Sequence, residues 1–93
     1  MNRGVILSTA LEAVCGERAA THGDCETNFQ HIAEMWSAYL GIRVSAVDVA
    51  HMMVQLKQSR VRCGDPQHAD HYVDQCGYSA IAGQIATRQG VRK

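Results

Sequence analysis

No stretch of this sequence stays apolar for long: near its start the longest such run is Gly4 to Leu7, where a membrane span needs about 20 residues. Neither a membrane span nor a secretory core is expected, which places the chain in the cytoplasm. Charge of one sign is missing too, since nine basic residues balance nine acidic ones. Bulk electrostatics therefore offers no handle for nucleic acid or an anionic membrane, and any anion site must be local. Neither a Gly-x-Gly-x-x-Gly loop nor a Walker-type lysine motif occurs, so the common backbone cradles for phosphate are absent.

Proline appears once, at Pro66, and there is neither a low-complexity stretch nor an internal repeat, so nothing divides the chain into domains. A single domain over 1–93 is expected. Cys15, Cys25, Cys63 and Cys76 stand at wide, irregular spacing, and without a secretory signal they are expected to remain reduced. His22 and Cys25 have zinc-like spacing, but no second pair follows, so zinc is not expected.

What is present is helical periodicity punctuated by glycine. With 46% hydrophobic and 19% charged residues the chain has the composition of a folded protein, and Gly16, Gly23, Gly41 and Gly64 fall near the ends of four apolar-periodic segments. The expected fold is all-α, a compact bundle of about four helices. The first, roughly Asn2 to Ala20, places Leu7, Ala10, Leu11 and Val14 on one stripe, with Arg18 in line. The second follows Asp24 as N-cap and carries Phe29, Ile32, Ala33, Trp36 and Leu40 on one face before stopping at Gly41. The third opens on a near-capping box, Ser45 with Asp48, and turns Ala50, Met53, Val54 and Val61 inward. Lys57 lies in the middle of that arc and Arg60 at its margin. The fourth is expected to start at Asp65 as N-cap with Pro66 at its first position, and to run to about Gln89. On it Asp70, Asp74, Gly77 and Ile81 share a narrow arc.

Arg18, Lys57 and Arg60 thus meet Asp70 and Asp74 on inward faces, where unpaired charge is expensive. One explanation is a satisfied ion-pair network that fixes helix register. The other is a pocket, in which Asp70 and Asp74 hold a magnesium ion and the basic side chains engage phosphate oxygens. Lysine and arginine together suit a nucleotide better than an uncharged ligand. The loop Thr21-His22-Gly23-Asp24 leads into a helix N-terminus, so His22 and Asp24 are either part of an anion site or a plain turn and cap. Trp36 reads as core, whereas Tyr39 and Tyr78 lie at stripe margins, where a ring can pack on one side and stack a base on the other. Neither the cysteines nor the histidines show a local nucleophilic signature.

Thr21 to Asp24, Asn28-Phe29, Trp36 to Gly41, and Asp74 through Tyr78 together resemble a group of small phage and prophage proteins, over about residues 10 to 85. That resemblance implies a host-cell cytoplasmic setting. More distantly, Lys57 and Arg60 followed by Asp70, Asp74 and Tyr78 look like the second half of the all-α, MazG-like nucleoside triphosphate pyrophosphohydrolases. Those enzymes use magnesium held by a Glu-x-x-Glu pair and a Glu-x-x-Asp pair. No Glu-x-x-Glu occurs here, and Lys57 and Arg60 occupy the helix that should carry it.

Three readings follow. The first is a homo-oligomeric phage-type protein that holds a phosphorylated, nucleotide-derived ligand through Arg18, His22, Asp24, Lys57, Arg60 and Tyr78, and so sequesters a host defence signal. The second is magnesium-dependent pyrophosphohydrolysis of a nucleoside triphosphate. The third is a structural or protein-binding helical module. Partners are therefore expected to be a nucleotide-derived small molecule and further copies of the chain, with neither nucleic acid nor membrane.

Overall fold

The computed structural model describes residues 1–16 and 25–90, with side chains through residue 88. Among them the chain forms four helices: α1 (Arg3–Cys15), α2 (Cys25–Leu40), α3 (Ala46–Cys63) and α4 (Ala69–Gly90). No strand occurs among the described residues. The all-α expectation holds.

Local chemistry sets the ends. Asn2 caps α1, its side chain accepting from the Val5 amide at 2.9 Å. α2 stops where Gly41 takes φ +74°, a left-handed conformation that costs glycine nothing. Ser37 then ties the helix end to the chain beyond it. Its Oγ accepts from the Val44 amide at 2.8 Å and lies 2.7 Å from the Ala33 carbonyl and 3.1 Å from that of Val44. α3 opens on a complete capping box, with Ser45 accepting from the Asp48 amide at 3.1 Å and the Asp48 carboxylate accepting from the Ser45 amide at 2.9 Å.

The start of α4 differs from expectation. Asp65 accepts from the Gln67 amide at 2.9 Å, so Asp65 and Pro66 shape a turn and the helix begins only at Ala69. An Asp-Pro pair serves a turn as readily as a helix start. Tyr72 returns to this turn, donating its hydroxyl to the Pro66 carbonyl at 2.7 Å.

α3 and α4 pack as a helical hairpin, α2 lies mainly on α3, and α1 lies on α4. Where α2, α3 and the C-terminal half of α4 meet, Phe29, Ala33, Val49, Ala50, Ala82 and Ile85 form the core, with Ile32, Trp36, Met53, Tyr78 and Ile81 packed against it. Trp36 therefore has the core role its stripe implies. Val73 and Ala10 are also buried. Gly77 is where α1 comes close: a Cβ there would stand 3.1 Å from Val14 Cγ1.

Three apolar residues expected inside are outside. Leu7, Leu11 and Leu40 are exposed, because α1 meets α4 through its Ala10 and Val14 side and Leu40 sits in the last turn of α2, beyond the core.

Candidate ligand site at the seam of α3 and α4

Lys57 Nζ lies 2.8 Å from Asp74 Oδ2, and the two side chains are 17% and 35% exposed. The shared inward arc of the two residues thus becomes a direct ion pair in the seam of the hairpin. At this depth the pair is only partly screened by water, so each charge is held in place by the other.

Two of the charges expected beside it, Arg60 and Asp70, take no part in the pair. Arg60 is exposed and has no ion-pair partner among the described residues. Asp70 is 76% exposed, with its carboxylate 3.6 Å from His68 Nε2. The late start of α4 explains this, since it puts Asp70 in the first turn, a favourable place for an exposed carboxylate beside free helix amides. Asp70 and Asp74 therefore stand in different surroundings. Among the described residues no three His, Cys, Asp or Glu side chains gather as a metal site.

Tyr78 is half-buried and stacks on Phe29 with ring centroids 6.2 Å apart. Its ring thereby joins α4 to α2. Tyr39, by contrast, is 89% exposed. Arg18, His22 and Asp24 lie outside the described residues, as does the rest of the Thr21 to Asp24 motif.

Sequence reasoning did not single out a second polar feature. Arg88 of α4 pairs with Glu26 of α2 at 2.6 Å, beside an open groove of about 510 Å³ whose wall includes Gln30 and Glu34 and whose floor includes Ala46 and Ile85. Gln30 Nε2 reaches Glu34 Oε2 at 3.5 Å. The signal in the sequence was the four-residue step from Glu26 through Gln30 to Glu34, which puts all three on one face.

Residues of the family pattern thus have visible structural duties. Asp74 pairs with Lys57, Gly77 admits α1, Tyr78 and Phe29 stack, and Ser37 and Gly41 end α2.

Comparison with known proteins agrees with a phage origin. The gene 55 protein of Mycobacterium phage D29 is 36% identical over 80 residues, which cover 86% of this chain and 52% of that protein. The gene 55 protein of Mycobacterium phage L5 is 40% identical over 77 residues, covering 82% of this chain and 49% of that protein. The chain spans about half the length of these relatives. No solved structure matches. A family described as a domain of unknown function, DUF6378, matches residues 5–86, and with that match across most of its length the chain belongs to the DUF6378 family, with phage proteins among its relatives.

Proposed function

We propose that the chain binds a phosphorylated, nucleotide-derived ligand at the α3–α4 seam and acts by holding it, so that in an infected host it withdraws a nucleotide defence signal. The observation that carries this is the Lys57–Asp74 pair, a lysine held 2.8 Å from its carboxylate in a half-buried seam, with Arg60 one turn further along α3, exposed and without an ion-pair partner among the described residues. A paired ammonium and an exposed guanidinium three residues apart on one helix offer a point charge and a bidentate fork to phosphate oxygens.

Magnesium enters as part of the same reading. It is usually held by one or two carboxylates together with phosphate oxygens and water. Asp74 would supply the carboxylate, with Asp70, four residues earlier on α4, as the second candidate ligand. A cation on Asp74 would release Lys57 to the phosphate.

Thermal shift and calorimetry against nucleoside triphosphates and cyclic nucleotides, each with and without magnesium, test the reading. A ligand at one hundred times its dissociation constant should stabilise by about 2.7 kcal/mol, and Lys57→Ala should remove most of that gain. Pyrophosphate released in magnesium, and lost in a folded Asp74→Asn variant, would replace holding by hydrolysis.

A second reading is favoured by the structural duties of the motif residues. In it the pair sets the register of α3 against α4, and the chain is a helical module without a nucleotide ligand. Silence across the whole panel selects it.

A further inference from the structure

The Lys57–Asp74 pair fixes the register of the hairpin, because in antiparallel helices each step forward along one is matched by a step back along the other. The same register sets Met53 opposite Tyr78, Val49 opposite Ala82 and Ala46 opposite Ile85. All six belong to one packed cluster, and the last two line the same groove, so the register holds along the hairpin. Continued the other way, toward the turn, it sets Arg60 of α3 opposite His71 of α4.

Angle places these residues as well as height. At 100° per residue Met53 and Arg60 lie about 40° and 60° to one side of Lys57, and Tyr78 and His71 lie about 40° and 60° to one side of Asp74. The two sides coincide, since Met53 and Tyr78 pack into the same cluster. Asp70 falls on the other side of Asp74. A row thus runs along one edge of the seam: the Tyr78 ring, then Lys57 with Asp74, then Arg60 with His71. It covers seven residues of α4, about 10 Å. Tyr78 is backed by Phe29 and His71 by His68, whose ring lies edge-on with centroids 4.9 Å apart. Arg60 is exposed and His71 half-buried, so this end of the row is open to solvent.

We propose that Arg60 and His71 form a terminal-phosphate subsite, and that the ligand is a linear nucleoside polyphosphate lying lengthwise along the seam with its base at Tyr78. The proposal rests on the reading of the seam as a nucleotide site and narrows it. A chain of two or three phosphates extends past Lys57 to the far end of the row, whereas the phosphate of a 3′,5′-cyclic nucleotide is closed back onto its own ribose. At that end the guanidinium offers two parallel N–H donors and the imidazole N–H a third from the facing helix.

Calorimetric titration of the full chain in magnesium with AMP, ADP and ATP, the matching guanosine series and 3′,5′-cyclic AMP tests the proposal. Affinity should rise with the number of phosphates, the triphosphate exceeding its monophosphate by about tenfold or more, as one charge-assisted hydrogen bond is worth. Cyclic AMP should bind no more tightly than AMP. Arg60→Gln and His71→Ala should each remove most of the triphosphate preference and leave the monophosphate's affinity in place. His71→Asn, which keeps an N–H donor, should retain more of the preference than His71→Ala. Arg62→Gln deletes a charge from an exposed residue on the far side of α3 and should leave the preference intact. Thermal unfolding separates a lost preference from a lost fold, and should His71→Ala unfold, the exposed Arg60→Gln decides alone. Equal affinity for mono-, tri- and cyclic phosphates overturns the proposal while leaving the seam a nucleotide site, as does a triphosphate preference indifferent to Arg60→Gln. Absence of binding by every nucleotide overturns the site itself and the subsite with it.

Discussion

Val14 Cγ1 lies 3.1 Å from the position a Cβ on Gly77 would take, so α1 and α4 approach tightly at this glycine. A methyl group at Gly77 must displace Val14 by a few tenths of an ångström or push the helices apart. Gly83 is six residues later on the same helix, and a Cβ there meets nothing within 4 Å.

That pair gives a prediction in which helix propensity cancels. Both substitutions to alanine gain about 1 kcal/mol of intrinsic helix preference, but overpacking costs about 1–3 kcal/mol at Gly77 alone. Chemical denaturation should therefore find Gly77→Ala less stable than Gly83→Ala by about 1–3 kcal/mol. Equal stabilities would mean that α1 is not seated on Gly77.

Gly41 separates backbone strain from crowding. Its φ of +74° is left-handed, and nothing lies within 4 Å of where a Cβ would be, so a cost on substitution is conformational. Gly41→Ala is expected to lower stability by about 1–2 kcal/mol. Gly41→Asn should lose less, because asparagine tolerates that region better.

Ser37 ties the end of α2 to Val44. Removing its hydroxyl leaves the Val44 amide, now satisfied at 2.8 Å, without its partner beside a buried side chain. An orphaned, partly buried donor costs about 1–3 kcal/mol, so Ser37→Ala should fall in that range. Cysteine at the same place, similar in size and a weak acceptor, should recover little of the loss. Urea midpoints for the three proteins decide it.

How much of this was legible in the sequence follows from where the determining contacts lie. The α3 capping box and the inner face of α2 were readable because short-range spacing fixes both. The face of α1 was not: with apolar residues all round, a period of 3.6 cannot say which side meets a neighbour. Asp65-Pro66 misled because the same two residues start turns and helices. The helix starts three residues later than expected, at Ala69, which places Asp70 in its first turn. Lys57 and Asp74 were correctly brought together, but whether Asp70 or Asp74 would receive the lysine depended on the register of α3 against α4, a property of the whole core. The Glu26–Arg88 pair likewise needs two helix ends to meet across the fold.

The Lys57–Asp74 pair makes a stability prediction independent of any ligand. Removing one partner strands a half-buried charge, whereas replacing both with apolar groups removes the desolvation cost along with the attraction. Lys57→Met and Asp74→Leu should each destabilise, and the double variant should be more stable than the sum of the two losses. A coupling of about 1 kcal/mol is expected for a pair that water still reaches. Additive losses in a double-mutant cycle would remove the pair from the forces holding α3 against α4.

Asp48 gives the pH dependence its sign. The Ser45 backbone amide donates to its carboxylate and the Ser45 side chain adds to the effect, holding its pKa below the ordinary aspartate value, with smaller help from His51 and Arg43 against a slight opposing effect of burial. A carboxylate with a depressed folded-state pKa binds its proton less readily than in the unfolded chain. Its contribution is therefore complete above the unfolded value, about 3.9, and declines as pH falls through the folded one. Asp48→Asn deletes that titration and the charge in the first turn of α3. The stability gap between wild type and Asp48→Asn should accordingly be widest near neutral pH and close below about pH 4. Thermal unfolding of both proteins across the acidic range measures it, and a gap that stays constant with pH would show that the capping box stabilises α3 without using the aspartate charge.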